Sequence, residues 1–361
     1  MTTAVIVGID PHRKVFTATA LDERGRRVAD EHFANTSVGH HAALRWAREL
    51  GTIERIGIEG TGGLGRALAE YLISEDVEVR DVPPHKTSLR QRGRHEGKSD
   101  LLDAHRIAAE TQRNDALAYA FKQSSPSAPD AVHDQISLWH NARKSLRKIR
   151  VQLIGEIDAL IAGLPEHLRT QVPEHNTARA RINSIAQLDT ADVTDPTVTL
   201  QLQLIKHRTA MLRDVLTQDK TAEAELAALV TRTGSHLTDV CGIAARAAAE
   251  ILLETGDVRR FTEAGFARFT GTAPIPASSG EGGKQPVRHR LNRGGNRRLN
   301  AALHRIAMIQ LRCEPRARQL YDSAVSRGHT RREAMRILKR HLSNILYRTM
   351  FRDTPPPPNL T

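Results

Sequence analysis

Residues 4–10, Ala4-Val5-Ile6-Val7-Gly8-Ile9-Asp10, form an apolar run that ends in a carboxylate. A run of this length bounded by turn residues is typical of a buried β-strand. The segment 54–59 repeats the pattern, because Ile56-Gly57-Ile58 is followed by Glu59. Ligand sites of open α/β sheets lie outside the carboxyl ends of the strands. The two acidic side chains therefore predict a site at one edge of a sheet.

Strands and helices alternate through the first 83 residues. Strands are predicted at 4–9, 15–21, 28–33, 54–59 and 77–82, with helices at 37–49 and 64–72. Three strands in succession, followed by alternating helices and strands, are the order of a ribonuclease H-like fold. The predicted fold class of this part is therefore α/β.

Two more acidic residues open the next predicted helix. Ser99 or Asp100 can cap it, and a spacing of three places Asp100 and Asp103 on one face. With Asp10 and Glu59 they make four oxygen ligands, a set that suits Mg²⁺, with Mn²⁺ as a possible substitute. A pair of such ions about 4 Å apart stabilises the attacking and leaving oxygens of phosphoryl transfer. Each acid taken alone could merely cap a helix or end a turn, whereas the set favours a metal site.

The charge of the chain points to a polyanionic partner. The 361 residues carry a formal charge of +12, and the pI is near 10.2. Residues 281–352 hold 18 Lys and Arg against four acidic residues, so this segment accounts for the whole excess of positive charge. The aromatic fraction is only 4%, which favours phosphate contacts along duplex DNA or folded RNA over base stacking.

Cysteine content and hydropathy limit the location of the protein. Two cysteines, Cys241 and Cys313, exclude a disulfide framework and predict small buried side chains in a reducing compartment. No stretch is long and apolar enough to span a bilayer, and the amino terminus has no signal-peptide pattern. The protein is therefore expected in the cytoplasm, with no membrane contact.

A helical middle region follows a predicted linker at 123–129. Apolar residues at near-heptad spacing predict one long helix through Ile136, Trp139, Leu146, Ile149, Leu153 and Leu160, and another through Ile205, Leu212, Val215, Ala222, Leu226 and Leu229. These helices pack either on each other or on a second protomer. The predicted domains are 1–122, the coiled-coil-like region 130–232, a mostly α domain 233–353 and a disordered tail 354–361.

The last domain combines a glycine turn with a glycine-rich loop. Residues 237–254, with Gly242 between two apolar segments, predict a helix-hairpin-helix element that offers backbone N–H groups to a phosphate. A Gly-Thr-Ala-Pro turn at 271–274, a loop at 277–284 that contains Ser278, Ser279 and Gly280, and the segment Gly295-Asn296-Arg297-Arg298-Leu299 follow.

This order of motifs resembles the IS110 ("IS one-ten") transposases of insertion sequences, the DEDD recombinases of the Piv/MooV type. The features that carry the resemblance are the acids Asp10, Glu59, Asp100 and Asp103, the helical middle, the Ser-Gly in its glycine-rich loop and the Gly-Asn-Arg-Arg-Leu segment. They span essentially the whole chain in the family's order.

The resemblance implies a RuvC-like amino-terminal domain whose four acids, here Asp10, Glu59, Asp100 and Asp103, bind Mg²⁺. It implies that Ser279, which precedes Gly280, attacks DNA; the neighbouring Ser278 is the alternative. It also implies a homo-oligomer, a dimer or tetramer, that acts on target and donor DNA and is guided by a structured noncoding bridge RNA.

Basic residues around the serine could hold phosphates or the nucleic-acid backbone. They are Lys284, Arg288, Arg290, Arg293, Arg297 and Arg298.

The predicted function is a transposase or site-specific recombinase. One alternative is a metal-dependent Holliday-junction-type endonuclease in which water attacks and Ser279 is structural. The other is a non-catalytic RNA- or DNA-binding protein.

Overall fold

The computed structural model describes residues 4–84, 100–123, 131–174, 177–276, 289–290 and 294–354. Ser279, the other residues of its loop, most of the predicted linker and residues 355–361 of the predicted tail lie outside the described residues.

A five-stranded mixed sheet forms the amino-terminal part. Its strands are β1 (Ala4–Pro11), β2 (Val15–Asp22), β3 (Arg27–Ala34), β4 (Thr52–Glu59) and β5 (Val79–Val82). The order across the sheet is β3-β2-β1-β4-β5. β1–β2 and β2–β3 pair antiparallel, whereas β1–β4 and β4–β5 pair parallel. The α/β sheet and the strands predicted from apolar runs are thereby confirmed.

Helices cover the sheet because its strands carry apolar residues on their faces. α1 (Ser37–Leu50) begins where the Thr36 hydroxyl accepts from the Gly39 N–H, and α2 (Arg66–Ser74) follows β4. The side chains of Phe16, Ile58 and Leu72 belong to the core that these two helices share with the sheet. α3 (Asp100–Arg113) contacts β1, β2, β4 and β5.

The other helices follow in chain order. They are α4 (Ala131–Ala162), α5 (Glu166–Arg169), α6 (Ala178–Ala186), α7 (Pro196–Arg232), α8 (Ala245–Thr255), α9 (Glu263–Phe269), α10 (Arg297–Cys313), α11 (Pro315–Ser326) and α12 (Arg331–Asp353). A two-stranded pairing joins β6 (Ile275–Pro276) to β7 (His289–Arg290). Gly242, with φ +85°, lies between a 3₁₀ turn at His236–Asp239 and α8, and the helix-hairpin-helix element stays a prediction.

The described chain packs as two compact units. One contains Met1–Asp130, Glu254–Arg297 and Arg340–Thr361, and the other contains Ala131–Leu253 and Arg298–Lys339. The first unit thus includes the five-stranded sheet and the β6–β7 pair. The division into domains at 1–122, 130–232 and 233–353 stays a prediction.

In the second unit, α4 and α7 pack on each other. Leu153 and Ile157 of α4 are buried with Ile205 and Leu212 of α7 in one apolar core, as the near-heptad spacing predicts. Ile149 is an exception, since it is 42% exposed.

Two smaller expectations have different outcomes. Across the described ranges, no helix combines the length and apolar character that crossing a bilayer requires. The prediction of buried cysteines is wrong: Cys313 is exposed, because it is the last residue of α10, and Cys241 is half-buried. Their Sγ atoms lie 3.0 Å apart.

Candidate metal centre

Two of the predicted acids end neighbouring parallel strands. Ile9 of β1 pairs with Ile58 of β4, so Asp10 and Glu59 are the next residues along the two strands. Parallel strands in register place such residues side by side on one face of the sheet. The sequence prediction of a shared sheet edge is therefore confirmed for the backbone of these two residues.

Helix α3 brings the other two acids to this edge. Asp100 and Asp103 occupy its first turn. Ala104 and Ala108 lie four and eight residues after Asp100, on the same side of the helix, and both pack closely against Gly8 of β1. Because side chains alternate along a strand, Asp10 projects from the same face of β1 as Gly8. Asp100 lies on the same side of α3 as these two alanines, so the contact of this side with the sheet directs Asp100 toward Asp10.

A histidine completes a compact group with these two acids. Single ligand atoms of Asp10, His12 and Asp100 lie within 4.8 Å of one another. The His12 Nε2 atom is 3.4 Å from an Asp10 oxygen and 3.4 Å from an Asp100 oxygen. The Asp100 side chain is 51% exposed, so the group is open to a ligand from solvent. Sequence reasoning missed His12, although it follows Asp10 by only two residues.

The remaining two acids have other surroundings. Asp103 accepts a hydrogen bond of 3.0 Å from Arg106 Nη1. Glu59 ends β4, where its register partner on β5 is Val82. Neither belongs to the group of Asp10, His12 and Asp100. The four-acid ligand set of Asp10, Glu59, Asp100 and Asp103 therefore stays a prediction.

The residues of the group fit a divalent cation. Two carboxylates and an imidazole are common ligands of such ions in proteins. The His12 Nε2 atom is buried and has no hydrogen-bond partner, which is costly for a polar atom that no ligand satisfies. A cation held between the two carboxylates would supply the missing partner.

The loop after Glu59 is tied to the neighbouring strand. The Thr61 N–H and hydroxyl both donate to Asp81 Oδ1 of β5, at 3.2 and 2.7 Å. Gly60 has φ +73°, a left-handed conformation that favours glycine. These features fix where β4 ends and thus where the Glu59 backbone lies.

The predicted nucleic-acid ligands are only partly described. Ser278, Ser279, Lys284, Arg288 and Arg293 lie outside the described residues, and Arg290 is in β7. Arg297 and Arg298 are exposed in the first turn of α10.

Comparisons with known proteins give matches over most of the chain. A family model named DEDD_Tnp_IS110 and described as a transposase matches residues 7–169, and the model "Transposase IS116/IS110/IS902 family" matches residues 234–322. The Streptomyces coelicolor "Insertion element IS110 uncharacterized 43.6 kDa protein" is 34% identical over 142 residues, 38% of this chain and 33% of the relative. The chain thus spans about a third of the length of that curated relative.

One solved structure gives a weaker likeness. RuvC of T. thermophilus, in complex with a Holliday junction substrate, is 14% identical with a TM-score of 0.23, and the match covers 29% of this chain and 90% of RuvC.

Proposed function

The chain belongs to the IS110 family of transposases, and from this premise we propose that it cuts and rejoins DNA strands as the site-specific recombinase of an insertion sequence. The observation that carries the proposal is the convergence of Asp10, His12 and Asp100 at the carboxyl ends of the strands. These residues lie within the segment 7–169 that matches the DEDD family model.

The metal centre proposed here uses Asp10, Glu59, Asp100 and Asp103. When bound, divalent cations such as Mg²⁺ or Mn²⁺ polarise a phosphoryl oxygen and lower the pKa of an attacking hydroxyl. Asp10 and Asp100 form one side of the site. Asp103 precedes Ile107 by one turn of α3, and Ile107 packs on Val82, the register partner of Glu59. This packing supports a second side made by Asp103 and Glu59.

Ser279 is the proposed nucleophile. Its hydroxyl proton passes to a general base, its Oγ bonds to the scissile phosphorus, and the bond from phosphorus to one deoxyribose oxygen breaks. That oxygen takes up a proton from the protonated base or from water, which leaves a hydroxyl on that DNA end. A serine hydroxyl is a weak nucleophile at neutral pH, so it needs the help of a base or a cation. The strands β6 and β7, on either side of the serine loop, belong to the same compact unit as the acids, which supports a joint site.

The amino-terminal end of α10 is the proposed phosphate contact. Its first turn holds Arg297 and Arg298 and no acidic residue. The amino-terminal end of a helix carries a partial positive charge, so cationic side chains are unfavourable there unless an anion binds. Two exposed arginines at this end of the helix favour a DNA or RNA phosphate.

Family membership also motivates the partners. We propose target and donor DNA as substrates, a structured noncoding bridge RNA as the guide, and a homo-oligomer, a dimer or tetramer, as the active form. The surplus of positive charge in residues 281–352 is consistent with contacts to more than one nucleic acid.

Recombination in a purified system tests the proposal. The full chain is mixed with RNA transcribed from the element's noncoding end, Mg²⁺, and plasmids that carry the target and the joined element ends. Asp10→Asn and Asp100→Asn should each lower the recombinant product by about 100-fold, as lost metal ligands do. Asp76→Asn is the matched control, since Asp76 is exposed in the turn between α2 and β5 and has φ +60°, which asparagine tolerates.

The other outcomes identify the alternatives. Metal-dependent cleavage without joined product or a covalent adduct would favour the endonuclease in which water attacks. Nucleic-acid binding without cleavage would favour a non-catalytic binding protein. Full activity of both Asp10→Asn and Asp100→Asn would contradict the metal centre.

A further inference from the structure

His12 is held in place by its backbone. It lies in the turn between β1 and β2, where its N–H donates to the Val15 carbonyl at 2.8 Å. Its own carbonyl accepts from Asn35 Nδ2 at 2.9 Å, and the Asn35 side chain also contacts His40 Nε2. With both backbone groups bonded, the backbone of His12 has little freedom, and this keeps the side chain close to Asp10.

The distances around His12 Nε2 differ from those of an ordinary ion pair. Charge-assisted N–H···O bonds measure about 2.7–2.9 Å, whereas both carboxylate oxygens lie 3.4 Å from Nε2, and neither contact makes a hydrogen bond. Neighbouring ligands of an octahedral ion with bonds of about 2.1 Å are about 3.0 Å apart, and opposite ligands about 4.2 Å. The group, with all three atoms within 4.8 Å, is close to this spacing.

We propose that His12 is a direct ligand of the cation held by Asp10 and Asp100, and that this nitrogen makes the site prefer Mn²⁺ to Mg²⁺. The inference rests on the proposed metal centre and adds a residue and a metal preference to it. Mg²⁺ requires oxygen ligands and retains its waters, whereas imidazole nitrogen binds transition-metal ions more readily.

The competing arrangement is a protonated His12 that bridges the two carboxylates and leaves the metal to oxygen ligands alone. Both arrangements place the ring near Asp10 and Asp100, so activity cannot separate them. A nitrogen bonded to Mn²⁺ has an isotropic hyperfine coupling to its unpaired electrons, whereas an unbonded ring nearby has only a weak dipolar coupling.

Electron spin-echo envelope modulation of the full chain loaded with Mn²⁺ separates the two arrangements. The wild-type spectrum should contain a ¹⁴N modulation typical of a coordinated imidazole. Protein grown with ¹⁵N-histidine should replace it by the ¹⁵N pattern, which tests the ligand without any substitution. His12→Gln should lose the modulation, and His207→Gln, an exposed histidine of the other compact unit, should retain it.

Binding titrations measure the preference. The Gln side chain offers an oxygen in place of the nitrogen, so His12→Gln should weaken Mn²⁺ binding by about 10-fold or more while Mg²⁺ binding changes by less than about 3-fold. His12→Ala should weaken both metals. Circular dichroism of each variant checks that the sheet domain remains folded.

Two results would overturn the inference in different ways. Mn²⁺ bound in an Asp10-dependent manner without ¹⁴N modulation would remove His12 from the ligand set and leave the proposed metal centre standing. Mn²⁺ binding that Asp10→Asn and Asp100→Asn leave unchanged would remove the metal centre itself, and His12 with it.

Discussion

Gly8 of β1 pairs with Gly57 of β4, and helix α3 packs against both at a distance that leaves no room for a methyl group. A Cβ atom at Gly8 would lie 2.6 Å from the Cα of Ala108 and would clash with the backbone N of the same residue. A Cβ at Gly57 would clash with the Thr111 hydroxyl. The paired glycines therefore allow α3 to pack close to the sheet, and this close packing determines the distance between Asp100 and Asp10.

Gly8→Ala should separate α3 from the sheet. The obstacle is the backbone of Ala104 and Ala108, which no rotamer change can relieve, so overpacking should cost about 1–3 kcal/mol of unfolding free energy. Mn²⁺ affinity should fall as well, because Asp100 moves away from Asp10. Urea denaturation and Mn²⁺ titration measure the two effects.

Substitutions at two other glycines are the controls for Gly8→Ala. Gly57→Ala meets a side chain rather than backbone, so Thr111→Ala should rescue part of its loss. Gly62→Ala has nothing within 4 Å of the new methyl group and should be nearly neutral. Wild-type stability and metal affinity in Gly8→Ala would show that the position of α3 does not depend on this contact.

The sheet could be predicted from the sequence because its signals are local. Apolar runs such as 4–9 and 54–59 make buried strands, and each carboxylate that ends a run is visible in the sequence. The Gly8–Gly57 pairing could not be predicted, since it depends on the parallel register of two strands and on a helix distant in the chain.

The candidate site was only partly predictable for the same reason. Asp10 and Asp100 meet because α3 crosses the sheet, but His12 needs the turn after β1 to fold back toward both acids. A histidine near an aspartate is common in any sequence, so spacing alone does not indicate a ligand. Ile149 also fits the heptad pattern but is exposed. Heptad spacing does not show how far along a helix the contact with its partner helix extends.

Asp219 should make the helix pair of the second unit sensitive to acid. Arg143 of α4 donates to Asp219 of α7 at 2.8 Å, and this hydrogen bond lowers the pKa of Asp219 from its ordinary value of 3.8. A lowered pKa in the folded state means that the contribution is present above pH 3.8 and is lost as the pH falls through the lowered value. Asp219→Asn should cost about 1.5–3 kcal/mol at pH 7, and the difference from wild type should shrink in acid.

A more exposed pair on the same two helices is the control. Arg208 Nε lies 2.9 Å from Glu156, with both side chains about one-third exposed. Glu156→Gln should cost less than about 1 kcal/mol, as solvent-screened pairs do. Denaturation curves at pH 7 and pH 3 test both variants. An Asp219→Asn loss that is equal at the two pH values would assign the effect to packing rather than charge.

The arginines of α10 should determine part of the salt dependence of nucleic-acid binding. Each phosphate contact contributes about 0.9 to the slope of log affinity against log salt on duplex DNA. Arg297→Gln combined with Arg298→Gln should therefore lower the slope by about two. Arg45→Gln combined with Arg48→Gln on α1 removes the same charge and should leave the slope nearly unchanged. Equal slopes for wild type and the α10 variant would mean that these arginines do not contact phosphate.

Ser279 should form a phosphoserine link to one DNA end. It directly precedes Gly280, as the family's nucleophile precedes a glycine, and a glycine-rich loop permits close approach of a DNA backbone. The attack should also require the acids, because an unassisted hydroxyl is too weak a nucleophile. A substrate nicked near the crossover point should trap the adduct, and mass spectrometry of the attached peptide names the serine.

The two adjacent serines provide their own controls. Ser279→Ala should abolish the adduct, while Ser278→Ala retains it and Asp10→Asn prevents it. If Ser278→Ala alone removes the adduct, the nucleophile is the preceding residue. If both variants cleave DNA normally and no adduct forms, the acids must direct water at the phosphate, and the endonuclease becomes the better description of this chain.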